Sequence, residues 1–172
     1  MARLRPARTM NRPNSQAWSR YSLKKPRKNY VRALPRTSLL VFNMGVMKDN
    51  YDMIVTLRPT DIVQLRSNAL ESARQTANKY LENEIPQEFH FKVLVYPHNV
   101  IREHKMATGA GADRISRGMS QAFGRPTFVA ARIKAGQPIF MVNTYKQHKA
   151  FVLEAFRRSA SKLSGTFKIR VS

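Results

Sequence analysis

From about residue 37 onward, apolar residues recur at two kinds of spacing, one typical of strands and the other typical of helices. Alternating or short apolar runs bounded by turn residues indicate strands. They predict strands at 38–45, 51–58, 89–97, 98–104, 127–133, 138–144 and 166–171. The connection "KAGQ" at 134–137 is typical of a tight turn between two of them.

Helical spacing of apolar residues appears in two longer stretches. The first runs from Ile62 to Leu81; Thr60 or Asp61 is its predicted N-cap, and Pro86 prevents its continuation. The second lies at 151–163 and is expected to stop at Gly165. A weaker pattern at 115–123 predicts a short helix that ends at Gly124.

These elements predict an α+β fold, a mostly antiparallel sheet layer that carries two long amphipathic helices. Residues 1–36 lack apolar periodicity and contain Pro6, Pro13, Pro26 and Pro35, which favours a basic extended arm. We therefore expect a basic extended arm at 1–36 and a single α+β domain at 37–172, with a flexible loop at 103–114.

The charge of the chain indicates the kind of partner that it binds. The chain has 31 Lys and Arg against 10 Asp and Glu, a formal net charge of +21. Residues 1–48 hold twelve of the cations and no acid, and residues 114–172 hold twelve more with Glu154 as their sole acid. Such a balance predicts a nucleic-acid partner, with an acidic membrane surface as the main competitor.

The arm combines cations with aromatic rings. Trp18, Tyr21 and Tyr30 lie among its lysines and arginines, so the rings can stack on unpaired bases while the cations contact phosphate. The same rings could instead anchor the arm to the protein's own core. The arm as a whole favours RNA contact, and we expect it to become ordered only on RNA.

Catalytic and metal-site patterns are absent from the sequence. The loop around Gly109 and Gly111 has Arg114 where a dinucleotide fingerprint needs its third glycine, and no Gly-Lys pair of a phosphate-binding loop occurs. The four histidines lack metal-ligand spacing, and no G-x-S-x-G motif is present. A mobile finger is the favoured interpretation of the loop, with a tight turn or a phosphate-cradling backbone as alternatives, and we predict no enzyme activity, cofactor or metal.

Cysteine usage and hydropathy indicate where the protein works. The chain has no cysteine, which excludes disulfides and fits a reducing compartment. No apolar run approaches the roughly 20 residues of a membrane span. We expect a soluble cytoplasmic protein with no membrane partner and no stable homo-oligomer.

The segment "FHFKVLVYPHNVIREHKMATGAGADRISRGMSQAFGRP" resembles the signature of a large-subunit ribosomal protein family. This is the archaeal and eukaryotic L-ten-e family, the counterpart of bacterial L-sixteen. The likeness extends to "ALESARQTANKYL", "ARIKAGQPIFMVNT" and "EAFRRSASKLSGTFKIRV" and covers about residues 50–171. "KMATGAGADR" followed by "GMSQAFGRP" is the most specific combination.

This resemblance implies a hammerhead-like α+β fold bound to large-subunit rRNA, beside neighbouring ribosomal proteins. It also implies that the loop at 103–114 points toward the peptidyl-transferase centre and helps to position aminoacyl-tRNA. The loop residues expected to face tRNA are Arg102, His104, Lys105, Met106, Gly109, Gly111, Asp113 and Arg114.

Basic side chains of both flanks are the predicted rRNA-binding residues. They are Arg3, Arg5, Arg8, Arg12, Arg20, Lys24, Lys25, Arg27, Lys28, Arg32, Arg36, Arg117, Arg125, Arg132, Lys134, Arg157 and Arg158. A free-standing RNA chaperone, or an RNA-modifying enzyme that uses the 103–114 loop, is the alternative function. Neither has a supporting motif beyond the charge.

Overall fold

The computed structural model describes residues 34–103, 111 and 125–172. In chain order the strands are β1 (Asn43–Gly45), β2 (Met53–Pro59), β3 (Val63–Arg66), β4 (Phe89–Val93), β5 (Asn99–Glu103), β6 (Arg125–Ile133), β7 (Phe140–Thr144) and β8 (Phe167–Val171). Helix α1 (Ser67–Glu84) follows β3, and a 3₁₀ turn at Lys146–His148 leads into α2 (Lys149–Ala160). The predicted short helix at 115–123 and residues 1–33 of the arm lie outside the described residues.

A five-stranded antiparallel sheet in the order β1-β4-β7-β2-β8 forms the centre of the protein. Val55 of β2 pairs with Val142 of β7, which in turn pairs with Phe91 of β4. Paired residues of antiparallel strands share a face, so this row marks the face on which the core is built. All three side chains are fully buried.

Both helices cover that face with small and apolar residues at helical spacing. In α1 the buried residues include Leu70, Ala73, Ala77 and Leu81, and in α2 they include Val152, Ala155 and Phe156. The ring of Phe156 lies 6.4 Å from that of Phe91 in the sheet. Burial of this apolar stripe, rather than helix propensity, stabilises helices of this length.

The predicted start of the first helix is wrong. Residues 63–66 form strand β3, and α1 begins only at Ser67; Arg66 occupies the N-cap position, and its side chain does not cap the helix. Val63 pairs with Ile133 and Leu65 with Ala131 of β6. This pairing with a strand some 70 residues away in the chain overrides the helical spacing that the sequence shows locally.

Strands β3, β6 and β5 form a second, three-stranded antiparallel sheet. The predicted single sheet layer is therefore divided in two, while the α+β class and the antiparallel pairing are confirmed. The β5–β6 ladder shifts register between Ile101 and Arg102 and ends with Glu103 opposite Arg125. Glu103 and Arg125, which flank the 104–124 segment in the chain, are therefore neighbours in the sheet.

Candidate nucleic-acid interface

The face of the five-stranded sheet opposite the helices carries polar and basic side chains. Lys92 of β4 pairs with Met141 of β7, Met141 with Thr56 of β2, and Thr56 with Arg170 of β8. Because paired residues share a face, these four form one row across the sheet. Three strand spacings of roughly 4.8 Å place Lys92 and Arg170 about 14 Å apart.

A second row adds two more cations to the same side. Arg58 of β2 pairs with Lys168 of β8, two residues along each strand from the first row. We call Arg58, Lys92, Lys168 and Arg170 the basic sheet face. The other strand residues that the ladders place on this side are uncharged at neutral pH: Asn43, Ile54, Thr56, His90, Met141 and Asn143. Every charged strand residue on this face is therefore a cation, as phosphate binding favours.

Arg58 is held in place by its neighbours. Its Nε donates to Thr56 Oγ1 at 3.1 Å, and its Nη1 donates to the Gly136 carbonyl at 3.3 Å. Gly136 belongs to the predicted 134–137 turn, whose backbone also bonds to β2 through Gly136 N–H and the Pro59 carbonyl at 2.9 Å. The turn brings Lys134, an exposed residue of the predicted rRNA-binding set, to the end of the basic sheet face.

His90 contributes hydrogen-bonding capacity to this face rather than charge. Its side chain is largely buried, and burial lowers its pKa, as does the nearby charge of Lys92. Since the ordinary histidine pKa is already below 7, a lowered value leaves the ring neutral at physiological pH.

Arg157 and Arg158, two predicted rRNA anchors, share one carboxylate. Glu154 accepts from Arg157 Nε at 2.7 Å and from Arg158 Nε at 2.8 Å. Hydrogen bonds from Arg157 and then Arg158 lower the pKa of Glu154 to about 2. The guanidinium of Arg158 also lies 4.2 Å from the centre of the Tyr80 ring. The cluster carries one net positive charge, not two.

The remaining predicted anchors that the structure describes are exposed but scattered. Arg125 and Arg132 lie on β6 in the three-stranded sheet, and Arg36 precedes β1. Arg132 pairs with Gln64 of β3, and burial lowers the pKa of Arg132, which nevertheless stays charged at neutral pH. The predicted set therefore does not converge on one surface among the described residues.

The base of the predicted tRNA-facing loop is well defined. Arg102 lies in β5 opposite Pro126, and the Glu103–Arg125 pair closes the ladder. Gly111 has φ of +79°, a conformation that glycine adopts readily. His104, Lys105, Met106, Gly109, Asp113, Arg114 and Arg117 lie outside the described residues, as do all the predicted arm residues from Arg3 to Arg32.

An aromatic cluster stands just before β5. The rings of Phe42 and Tyr96 stack with centroids 5.7 Å apart, and Tyr96 lies 4.7 Å from the His98 ring. Tyr96 is 48% exposed, so one side of this cluster is accessible. An exposed ring of this kind can stack on an unpaired base.

The basic sheet face was missed by the sequence reasoning, although a signal for it exists. Arg58, Lys92, Lys168 and Arg170 each occupy the polar position of an alternating strand, in "MIVTLRP", "FHFKV" and "FKIRV". In such a strand the polar positions share one face. Strand order, which local patterning does not reveal, decides that these faces are contiguous.

Two other kinds of site receive no support from the described part of the chain. No group of three or more His, Asp or Glu side chains there is arranged to hold a metal ion. No helix within the described ranges is long and apolar enough to span a bilayer.

Comparison with known proteins identifies close relatives. The family profile described as "Ribosomal protein L16p/L10e" matches residues 18–170. The large ribosomal subunit protein uL16 of Hyperthermus butylicus is 44% identical over 168 residues, which cover 97% of this chain and 92% of the relative. The uL16 protein of Archaeoglobus fulgidus is 40% identical to this chain, and the match covers 94% of each of the two chains. That of Methanococcus aeolicus is 39% identical over 96% of this chain and 92% of its own.

Proposed function

The chain belongs to the L16p/L10e family of ribosomal proteins, and on that basis we propose that it is a structural constituent of the large ribosomal subunit in the cytoplasm. The observation that carries this proposal is the match to archaeal large-subunit proteins, which extends over more than nine-tenths of this chain and of each relative. The net charge of +21 supports it, since a polyanion such as rRNA offsets the repulsion within so basic a chain.

Binding to rRNA is proposed to use phosphate contacts on several surfaces. The basic sheet face offers four cations on three strands of one sheet, and exposed Lys134 extends it at the end near Arg58. The predicted anchors Arg125, Arg132, Arg157 and Arg158 and the cations of the arm would contact further phosphates. Contacts of this type position the protein on RNA without reading its sequence.

The loop at 103–114 is proposed to reach aminoacyl-tRNA near the peptidyl-transferase centre. Support comes from its base, where Glu103 and Arg125, the residues that flank the segment, are paired at the end of a ladder. The protein would supply placement, and RNA would supply the chemistry of peptide-bond formation. Neighbouring ribosomal proteins are its further proposed partners, and no stable homo-oligomer is expected.

Sedimentation of a cell extract tests the ribosomal assignment. The tagged protein should sediment almost entirely with large subunits and with whole ribosomes, and high salt should release it as phosphate contacts weaken. A main pool that sediments free of subunits would favour the chaperone or RNA-modification alternative. Crosslinks from this chain to RNA in purified subunits would then identify which of its surfaces contact rRNA.

A further inference from the structure

An apolar groove runs along the edge of the five-stranded sheet, between α2 and β8. Its volume is about 600 Å³. Most of its lining is apolar and comes from Ala150, Leu153, Phe156, Ala160, Phe167 and Ile169, and the charged residues Glu154 and Arg157 line it as well. The groove lies on the helix-covered side of the sheet, between α2 and the last two strands, because Leu57 of β2 also lines it.

Strand β8 has an open edge beside this groove. It is the terminal strand of the sheet and pairs with β2 alone among the described strands. Ser172 and Ile54 exchange two backbone hydrogen bonds, at 2.8 and 3.0 Å, and Thr166 accepts from Thr60 N–H at 2.9 Å. Hydrogen-bonded and non-hydrogen-bonded pairs alternate in an antiparallel ladder. The backbone groups of Phe167, Ile169 and Val171 therefore point outward.

The same three residues direct their side chains to the groove side. Ile169 pairs with buried Leu57 and Val171 with buried Val55, so both share the face of the core. A strand added along β8 would hydrogen-bond to Phe167, Ile169 and Val171, and its alternate side chains would lie over the groove. An apolar residue at those alternate positions would be buried against α2.

Charge on the opposite side of β8 selects among possible strands. Lys168 and Arg170 point to the basic sheet face and are exposed, with Thr56 and Arg58 as their neighbours on β2. Carboxylates at the intervening positions of an added strand would face these cations, and opposite charges across a strand pair are favourable. A second copy of β8 would instead bring like charges together. Lysine and arginine on edge strands are a known means of preventing self-pairing.

We propose that the edge of β8 binds an extended segment of another protein as a sixth strand, with apolar residues at alternate positions and acidic residues between them. The surface itself does not depend on the proposed function; only the expectation that the segment belongs to a neighbouring protein of the large subunit rests on it. A binding test on the free full-length protein therefore fails or succeeds separately from the sedimentation experiment.

The probe is a synthetic nine-residue peptide in which valine and glutamate alternate. Binding is measured by fluorescence anisotropy, and amide hydrogen exchange by NMR. We expect the peptide to protect the amides of Phe167, Ile169 and Val171 while those of Lys168 and Arg170, already bonded to β2, stay unchanged. A scrambled peptide of the same composition and charge should bind at least about tenfold more weakly, because only alternation satisfies both faces.

Three changes test the geometry without depending on the stability of one variant. Methylation of alternate backbone nitrogens in the peptide, on its pairing edge, should abolish protection at β8. Leu153→Glu, which puts a carboxylate in the groove, should weaken binding about tenfold or more, whereas Lys79→Ala on α1 should not. Replacing Lys168 and Arg170 with glutamate should shift preference to a valine–lysine peptide.

Three results would overturn the proposal. Equal binding of scrambled and alternating peptides would mean that net charge alone attracts them. Binding without protection of Phe167, Ile169 and Val171 would show that no strand is added. Much tighter binding after deletion of residues 1–33 would assign the edge to the protein's own arm instead of a partner.

Discussion

Removing the three exposed cations of the basic sheet face should weaken RNA binding and make the affinity less dependent on salt concentration. The variant is Lys92→Ala, Lys168→Ala and Arg170→Ala. Arg58 is kept, because its hydrogen bonds to Thr56 and to the turn at 134–137 support the fold itself. The three chosen side chains are exposed, so the variant should retain the wild-type free energy of unfolding to within a few tenths of a kcal/mol per site.

The expected size follows from the number of phosphates contacted. Each neutralised phosphate contributes roughly 0.7 to 0.9 to the slope of log affinity against log salt concentration. If the three side chains each contact one phosphate, the slope should become shallower by about 2 to 3. With affinity at 1 M salt unchanged, binding at 0.1 M should fall by about a hundredfold or more.

Fluorescence anisotropy with a large-subunit rRNA transcript, at salt concentrations from about 0.05 to 0.5 M, measures both quantities. The matched control removes three exposed lysines on the helix side of the sheet: Lys79 on α1, Lys149 at the start of α2 and Lys162 after it. The two variants have the same net charge. If both change the slope equally, the protein binds RNA through its overall charge, and the sheet face has no special part in it.

Three further results are expected. Replacing residues 104–113 with a Gly-Ser linker should leave incorporation into reconstituted large subunits intact and slow aminoacyl-tRNA accommodation; unchanged accommodation would mean that the loop is only a connection. Gln64→Leu should raise the free energy of unfolding by about 1 to 3 kcal/mol in denaturant melts, because the buried Gln64 amide has no hydrogen-bond partner among the residues that the structure describes, and a loss would indicate that the amide is satisfied in solution. The pKa of Glu154 is about 2 in the folded chain, against an ordinary value of 4.5. The bonds of Glu154 to Arg157 and Arg158 therefore stabilise the fold fully above pH 4.5, and this stabilisation is lost as the pH falls to about 2. Glu154→Gln should therefore flatten acid unfolding in that range and, by releasing both arginines, strengthen RNA binding; weaker binding would show that the carboxylate is needed to position them.

Local patterning predicted most elements and the α+β class, and it failed where two patterns overlapped. Residues 62–66 fit a helical stripe with the residues after them and also alternate as a strand. Only the presence of β6 as a partner decides between these, and β6 lies far along the chain. The same limit explains why the predicted sheet layer is two sheets.

The predicted RNA-binding residues came from charge runs, which record sequence proximity. Arg157 and Arg158 are adjacent and basic, yet Glu154, one helical turn earlier, offsets half of their charge. That offset was visible in principle, since residues three and four apart in a helix are neighbours. The basic sheet face was harder to find, because its four members come from three strands.

The basic character of the protein, the period of each main element and the family resemblance could all be read from the chain, because they depend on residue identity and on short-range spacing. Which strands are neighbours became known only from the folded protein. That order places Lys92 of β4 and Arg170 of β8 on one face, although 77 residues separate them in the chain. It also leaves β8 at an edge beside an apolar groove. Strand order depends on contacts between distant segments, whose closure entropy is offset only when the whole core assembles.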